Sequence, residues 1–277
     1  MQPLLQMIVY NKAQRIVCIV PNKVTEVKSQ MNEEFDMTNL GKLQYFLGLE
    51  FTKTNKGLIV QQKKYVTDVL KRFNMLDCNP ASTLMETNLK LNNDENGEAM
   101  DSTVYKQMVG CFRYVCNSRP DICHSVGMVS RFIQNSKLTD HMQAVKRIMR
   151  YLQDTIDHGI LFPKLIDHEG KLTGFCDYDR CGDQVERRST MGYVFKLFDS
   201  PISWSSKNQT MVALSTCEAE YISTCYATSQ SSSSRGSSIT SLPSSTKTLS
   251  SRFKSGKMAR ISSRSSQVVS SGSIPSH

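Results

Sequence analysis

No Asp or Glu lies beyond Glu220, although the chain runs on to His277. Any chemistry that needs a carboxylate must therefore be carried by the residues up to that point. No run of about 18 apolar residues occurs, which excludes a membrane-spanning helix. The nine cysteines are Cys18, Cys78, Cys111, Cys116, Cys123, Cys176, Cys181, Cys217 and Cys225, and none falls in a Cys-x-x-Cys spacing. Their number is odd, and no paired His spacing accompanies them. This argues against a zinc site or a disulfide framework and for small, reduced core residues. Met1–Met7 is short, contains Pro3 and has no charged n-region, so it does not read as a signal peptide. The expectation is a reducing intracellular compartment, cytoplasmic or nuclear, with no membrane partner.

What is abundant is serine, and it is concentrated at one end. Residues 229–277 hold 21 Ser and seven Lys or Arg. Without them, 27 basic and 25 acidic groups remain, so the body is nearly neutral although the formal charge of the whole chain is +9. The basic balance thus describes the tail and does not mark the body as a nucleic-acid binder. Ser-rich sequence with scattered Arg buries too little apolar surface to offset backbone entropy. It is expected to be disordered.

The body divides by periodicity. Leu5–Tyr10 and Ile16–Val20 read as a hairpin around Asn11-Lys12. Val24, Val27, Met31 and Phe35 fall at helical spacing. Gln44–Thr52 reads as a strand and Leu58–Gln62 as its hairpin partner across Asn55-Lys56-Gly57. Tyr65, Val69, Leu70 and Phe73 mark a helix, and Asp77–Gly97 is a polar connection. A helical block follows. Val104, Met108, Cys111, Phe112 and Val115 share one face. Pro120 opens a second helix, lined by Val126, Val129 and Ile133. Asp140–Gln153 forms a third, with Met142, Val145, Met149 and Leu152 inside. After Gly159 the period changes. Leu172–Asp177, Gly192–Phe198 and Pro201–Ser206 read as strands, and a helix starts near Ser215.

Three groups of residues could carry chemistry. An acid at the end of a buried strand, such as Asp177, can reach a metal or a proton; it can equally be a polar strand end entering a turn. Alternation places Phe175, Asp177 and Asp179 on one face. In Ser215-x-x-Glu218 the spacing is that of a capping box, which gives Glu218 a structural role. Glu220 lies about 200° around the helix from Glu218, and is either a solvated residue or a metal ligand paired with Asp177. The basic residues Lys146, Arg147 and Arg150, with Arg187 and Arg188 further on, either hold phosphates or are solvated.

Several of these stretches together resemble a known family. Phe35-Asp36-Met37-Thr38-Asn39-Leu40-Gly41-Lys42-Leu43-Gln44-Tyr45-Phe46-Leu47-Gly48, Tyr105-Lys106-Gln107-Met108-Val109-Gly110, Ser118-Arg119-Pro120-Asp121-Ile122 and Lys146-Arg147-Ile148-Met149-Arg150-Tyr151-Leu152 are similar to segments of the Ty1/copia-type retrotransposon Pol polyprotein. They correspond to the part after the polymerase palm. Asp177-Tyr178-Asp179, Arg188-Ser189-Thr190-Met191-Gly192-Tyr193, Ile202-Ser203-Trp204-Ser205-Ser206-Lys207 and Ser215–Tyr221 resemble the opening of its ribonuclease H. The resemblance spans roughly residues 24–228.

The resemblance implies an α+β chain in three parts. Residues 1–165 correspond to a remnant palm edge with a helical thumb/connection block of the reverse transcriptase. Residues 170–228 correspond to an incomplete ribonuclease H-like unit of three strands and one helix, and 229–277 to the disordered tail. It implies Mg²⁺ as cofactor and an RNA–DNA hybrid as partner, with Asp177 and Glu220 as the catalytic, metal-binding acids. The family's third acid and its Tyr-x-Asp-Asp motif have no counterpart here. Two carboxylates can hold one hydrated Mg²⁺ but cannot build a paired-metal clamp. The expectation is a fragment without turnover, its serine run marking a shift of reading frame. The alternatives are a non-catalytic nucleic-acid binder using Lys146, Arg147, Arg150 and the tail, or a residual ribonuclease H completed by another chain.

Overall fold

The computed structural model describes residues 6–10, 15–19, 29, 33–34, 44–86, 91, 102–134, 140–163, 172–179, 187–197, 200–238, 253–255 and 268–270. Helices and antiparallel strands occupy separate stretches, which is the α+β arrangement expected. Strands β1 (Gln6–Tyr10) and β2 (Arg15–Ile19) form the antiparallel hairpin predicted, with Tyr10 opposite Arg15. The helix expected over Val24–Phe35 falls mostly outside the described residues, although Ser29, Glu33 and Glu34 are helical.

One strand expected over Gln44–Thr52 is instead two, β3 (Tyr45–Phe46) and β4 (Leu49–Lys53), folded back on each other. The reversal sits at Leu47 and Gly48, with φ of 46° and 72°. Two consecutive left-handed residues are what a tight hairpin turn of this twist requires. Strand β5 (Gly57–Gln61) pairs with β4 as predicted. Gly57 has φ of 151°, and a Cβ there would lie 2.0 Å from the Phe162 carbonyl, so only glycine fits against the neighbouring strand.

That neighbour is β6 (His158–Pro163), which the sequence reading missed. Its apolar residues Ile160, Leu161 and Phe162 are consecutive rather than alternating, and Pro163 follows at once. A run so short carries no period. The sheet order is β11-β6-β5-β4-β3, where β11 is Val268–Ser270.

Between β5 and β6 the chain builds four helices: α1 (Lys63–Arg72), α2 (Ser102–Val115), α3 (Cys123–Ser130) and α4 (Asp140–Asp154). Helix α1 buries Val66, Val69 and Leu70 and carries Lys71 and Arg72 in its last turn, where cations complement the helix dipole. It ends in a Schellman arrangement. Asn74 has φ of 55°, its N–H donates to Lys71 O, and the Met75 N–H donates to Leu70 O. The inner face of α2 is rotated from the one expected. Tyr105 and Val109 are buried with Met108, Phe112 and Val115, while Val104 is exposed. The Tyr105 hydroxyl explains this, because it donates to Val129 O of α3 at 2.7 Å in the core. Helix α4 buries His141, Ala144, Val145, Ile148, Met149 and Leu152, a strict helical stripe.

Within this block Ser118-Arg119-Pro120-Asp121 is buried despite its polarity. Pro120–Ile122 forms a 3₁₀ turn ahead of α3. The Arg119 guanidinium bonds both Asp121 carboxylate oxygens (Nε to Oδ1, 2.9 Å; Nη2 to Oδ2, 2.7 Å) and the Thr155 carbonyl and hydroxyl, both at 2.8 Å. The Tyr151 hydroxyl donates to Asp121 Oδ2 at 3.0 Å. Arg119 is 1% and Asp121 6% exposed, so each charge depends on its partner for solvation.

A second sheet has the order β10-β7-β8-β9: β7 is Leu172–Asp179, β8 Thr190–Leu197, β9 Ser200–Asn208 and β10 Phe253–Ser255. The three predicted strands are all present, each longer than expected. Helix α5 (Thr216–Ser238) lies against β7 and β8. Leu49, Phe51, Val60, Ile160 and Phe162 of the first sheet pack with Val194 and Trp204 of the second in one apolar cluster. The Trp204 ring N–H donates to Cys116 O at the end of α2, at 2.9 Å.

Of the tail over 229–277, expected to be disordered, the structure describes 229–238, 253–255 and 268–270. Helix α5 continues through the serines to Ser238, β10 joins β7 in parallel, and β11 joins β6. Serine costs at most about 0.7 kcal/mol per helical position relative to Ala, so a helix already nucleated by packing propagates through it. The hydroxyls of Thr228 and Ser229 bond carbonyls of their own helix, Thr224 O and Tyr226 O.

Burial pushes the Asp121 carboxyl up, but the Arg119 charge and hydrogen bonds outweigh it and hold the group below its ordinary value. A depressed folded pKa contributes stability present above the unfolded value, about 3.9, and lost as pH falls through the folded one. Asp121→Asn is therefore expected to destabilise the chain at pH 7 by about 3–5 kcal/mol. In urea titrations the gap to the wild type should narrow below about pH 4. A gap independent of pH would show that the pair is not ionised.

Candidate functional site

The C-terminal end of β7 lies under the first turns of α5. Ala219 and Ala227 are fully buried on the inner face of the helix, and their small side chains let it approach the sheet closely. Three polar contacts fix its position. The Ser223 hydroxyl donates to Asp177 O at 3.1 Å, out of solvent. Thr224 Oγ1 lies 3.8 Å from Cys176 Sγ. From the end of β9, the Gln209 side-chain amide donates to Ala219 O at 2.8 Å, while its backbone N–H donates to Ser189 O.

Asp177 is 4% exposed, and its Oδ1 accepts the Tyr178 N–H at 2.9 Å. Glu220 is half-buried, one helical turn before Ser223 and Thr224. Cys176 reports on both acids. Its thiol is pushed up by burial first, drawn down by the Thr224 hydroxyl, and pushed up again by the charges of Asp177 and Glu220. Among the described residues, no group of three or more His, Cys, Asp or Glu side chains converges as a metal cage. The Asp179 side chain lies outside the described residues.

The helix cap departs in part from the predicted capping box. Ser215 Oγ accepts the Glu218 N–H at 3.1 Å, as expected. Glu218 Oε2, however, accepts the Leu214 N–H at 2.7 Å, one residue before the cap. The carboxylate extends past Ser215 and ties down the approach to the helix.

The five basic residues divide between two places. Arg187 and Arg188 precede β8, whose first residue, Thr190, is in register with Asp179. They stand at the same end of the sheet as Asp177. Arg187 is exposed, with φ of 54°. Lys146, Arg147 and Arg150 are on α4, in the other helical block. Lys146 is exposed. Arg147 bonds Thr83 O, Thr83 Oγ1 and the Glu86 carboxylate, and Arg150 bonds Asn79 O at 2.6 Å. These two arginines hold the 79–86 connection against α4. Sequence periodicity could not show this, because their partners lie more than 60 positions away. Ser223 was also missed, although it lies three residues after Glu220 and its spacing was available.

Residues 7–87 match a family model described as reverse transcriptase (RNA-dependent DNA polymerase). The chain is 40% identical over 210 residues to the retrovirus-related Pol polyprotein from transposon TNT 1-94 of Nicotiana tabacum, covering 72% of this chain and 15% of that protein. It is 36% identical over 210 residues to the retrovirus-related Pol polyprotein from transposon RE1 of Arabidopsis thaliana, covering 76% of this chain and 14% of that one. It is also 36% identical over 193 residues to an uncharacterized mitochondrial protein of Arabidopsis thaliana, AtMg00810, covering 69% of this chain and 78% of that protein. The chain therefore spans about one seventh of the Pol polyproteins it matches. No solved structure matches it.

Arg150→Ala should release the 79–86 segment without unfolding the core. Loss of a charge-assisted hydrogen bond predicts roughly tenfold faster cleavage after Glu86 by a glutamate-specific protease. An unchanged rate would remove the clamp assigned to Arg150.

Proposed function

Because the chain belongs to the retrovirus-related Pol polyprotein family of retrotransposons, we propose that it joins the end of a copia-type reverse transcriptase to the beginning of a ribonuclease H-like unit. The strands β7, β8 and β9 with α5 are that unit. Asp177 and Glu220 are its metal-binding acids, and an RNA–DNA hybrid is its partner. The observation that supports this reading best is the lock between α5 and the end of β7. Ser223 bonds Asp177 O, which sets the first turns of α5, and Glu220 with them, against the end of β7.

The donors suit Mg²⁺ and no softer ion. They are two carboxylates, one of them buried, with hydroxyls nearby and the Cys176 thiol pushed toward its protonated form. Bound there, Mg²⁺ would polarise a phosphate oxygen and neutralise charge developing on it. The chain's own contribution is to orient the two acids and to exclude water from Asp177. With two carboxylates alone it binds a single metal and does not turn over. The acids of a second metal position are not supplied by any residue after Glu220. Arg187 and Arg188 stand at the same sheet end and would contact the hybrid backbone, with Lys146 as a separate exposed cation.

The test is Mg²⁺ titration by calorimetry together with a hybrid-cleavage assay. Weak one-site binding is expected, lost in Asp177→Asn and in Glu220→Gln, with no cleavage above background. Hybrid binding should weaken with salt, with a log–log slope of about −0.7 to −0.9 per phosphate contacted. Mg²⁺-dependent cleavage abolished by Asp177→Asn would refute the absence of turnover. Mg²⁺ binding indifferent to both substitutions would refute the metal site itself.

A further inference from the structure

A cavity of about 390 Å³ opens between the helical block and the second sheet, and neither Asp177 nor Glu220 lines it. Its volume lies in the range of small-ligand sites, roughly 300–1,000 Å³. The inner wall is apolar: Trp204, Val126 and Cys123. Trp204 is buried, and its N–H is committed to Cys116 O, so the indole is held in one orientation. The rim is cationic, and among the described residues no Asp or Glu lines the cavity. Arg113, at the end of α2, is steadied by Ser130 Oγ at 3.2 Å. Arg131, just after α3, donates to Thr190 Oγ1 at 2.7 Å and to Asn208 Oδ1 across the opening. Lys207 also lines the cavity, but its ammonium lies 3.7 Å from the Tyr226 ring centre and is drawn toward α5.

Two further features mark this as a site rather than a packing fault. Ser206 Oγ is buried on the cavity wall and has no hydrogen-bond partner among the described residues. Such an orphan hydroxyl calls for a ligand or water to complete it. Opposite stands Gly127, where a Cβ would lie 3.8 Å from Ser206 O. An alanine would fit there, but a larger side chain would fill the space.

We propose that this cavity binds a nucleotide, with its base against the Trp204–Val126 wall and its phosphate on Arg113 and Arg131. Guanidinium groups bind phosphate oxygens through paired, charge-assisted hydrogen bonds. A flat heterocycle matches a narrow apolar interior that ends in one polar hydroxyl. The choice of a nucleotide among organic phosphates rests on the nucleic-acid reading above. The cationic cavity itself does not. The ligand is either a free mononucleotide or one unpaired nucleotide of a strand.

Trp204 is the only tryptophan in the chain, so its fluorescence reads this cavity alone. The full-length chain is titrated with inorganic phosphate, uridine 5′-monophosphate and a short oligodeoxythymidylate. A saturable change with either pyrimidine probe, at lower concentration than with phosphate, is the expected result. Response to the mononucleotide indicates a free ligand, and response to the oligonucleotide alone indicates a strand. Arg113→Gln and Arg131→Gln should each weaken the response about tenfold or more. Gly127→Leu should abolish it and Gly127→Ala preserve it. Arg113 is exposed, so its replacement tests the site even if Gly127→Leu does not fold. Phosphate binding as tightly as the nucleotide would overturn the assignment, as would Gly127→Leu binding like the wild type or no response to either pyrimidine probe. The titration is run without Mg²⁺, and neither Asp177 nor Glu220 lines the cavity, so failure of the metal site and failure of this cavity are separable.

Discussion

The ion pair between Arg119 and Asp121 is the constraint around which the first half of the molecule is arranged. Two opposite charges are buried within three residues, which is tolerable only if every remaining donor finds an acceptor. Arg119 meets that demand by reaching Thr155, three residues before β6. The adjacent Ser118 reaches Gln62, one residue after β5, with its hydroxyl donating at 2.8 Å. A single buried turn therefore holds the exit of one strand and the entry of the next. Those strands are separated by the whole helical block and nevertheless pair in register, Gln61 opposite Gly159.

The second half depends on the first through the same region. Cys116 is two residues before Ser118, and its carbonyl accepts the Trp204 N–H from β9. The apolar cluster around Trp204 contains side chains from both sheets. The end of α2 is thus fixed by its own core, by the polar turn after it and by the second sheet. The cavity beside Trp204 lies at this junction.

Elements with a clear period were legible from the residues. Helices α1 and α4, the hairpin of β1 and β2, and strands β7 to β9 follow alternation or a helical stripe. What was not legible has physical causes. Strand β6 shows no alternation because its apolar residues Ile160, Leu161 and Phe162 are consecutive, although burial falls on Ile160 and Phe162 rather than Leu161. The turn at Leu47 and Gly48 carries no signal beyond one glycine. No period marks Ser118, Arg119 and Asp121 as buried, and only partners at positions 62, 151 and 155 explain their burial. At the candidate site, Asp177, Glu220 and the Ser215 cap were named from motif and spacing. The clamping role of Arg147 and Arg150 was not, since it belongs to tertiary structure alone.

The position of β6 also bears on the order in which the chain can fold. Strands β4 and β5 are a local hairpin and need nothing else to meet. Strand β6 pairs with a strand nearly a hundred positions earlier, and an open loop of that length closes slowly. Helices between them shorten that loop once they pack, and the polar turn at Ser118–Asp121 brings its two ends together. The helical block should therefore be largely formed before the sheet is complete. The second sheet, whose wall includes Ile160 and Phe162 of β6, can consolidate only afterwards.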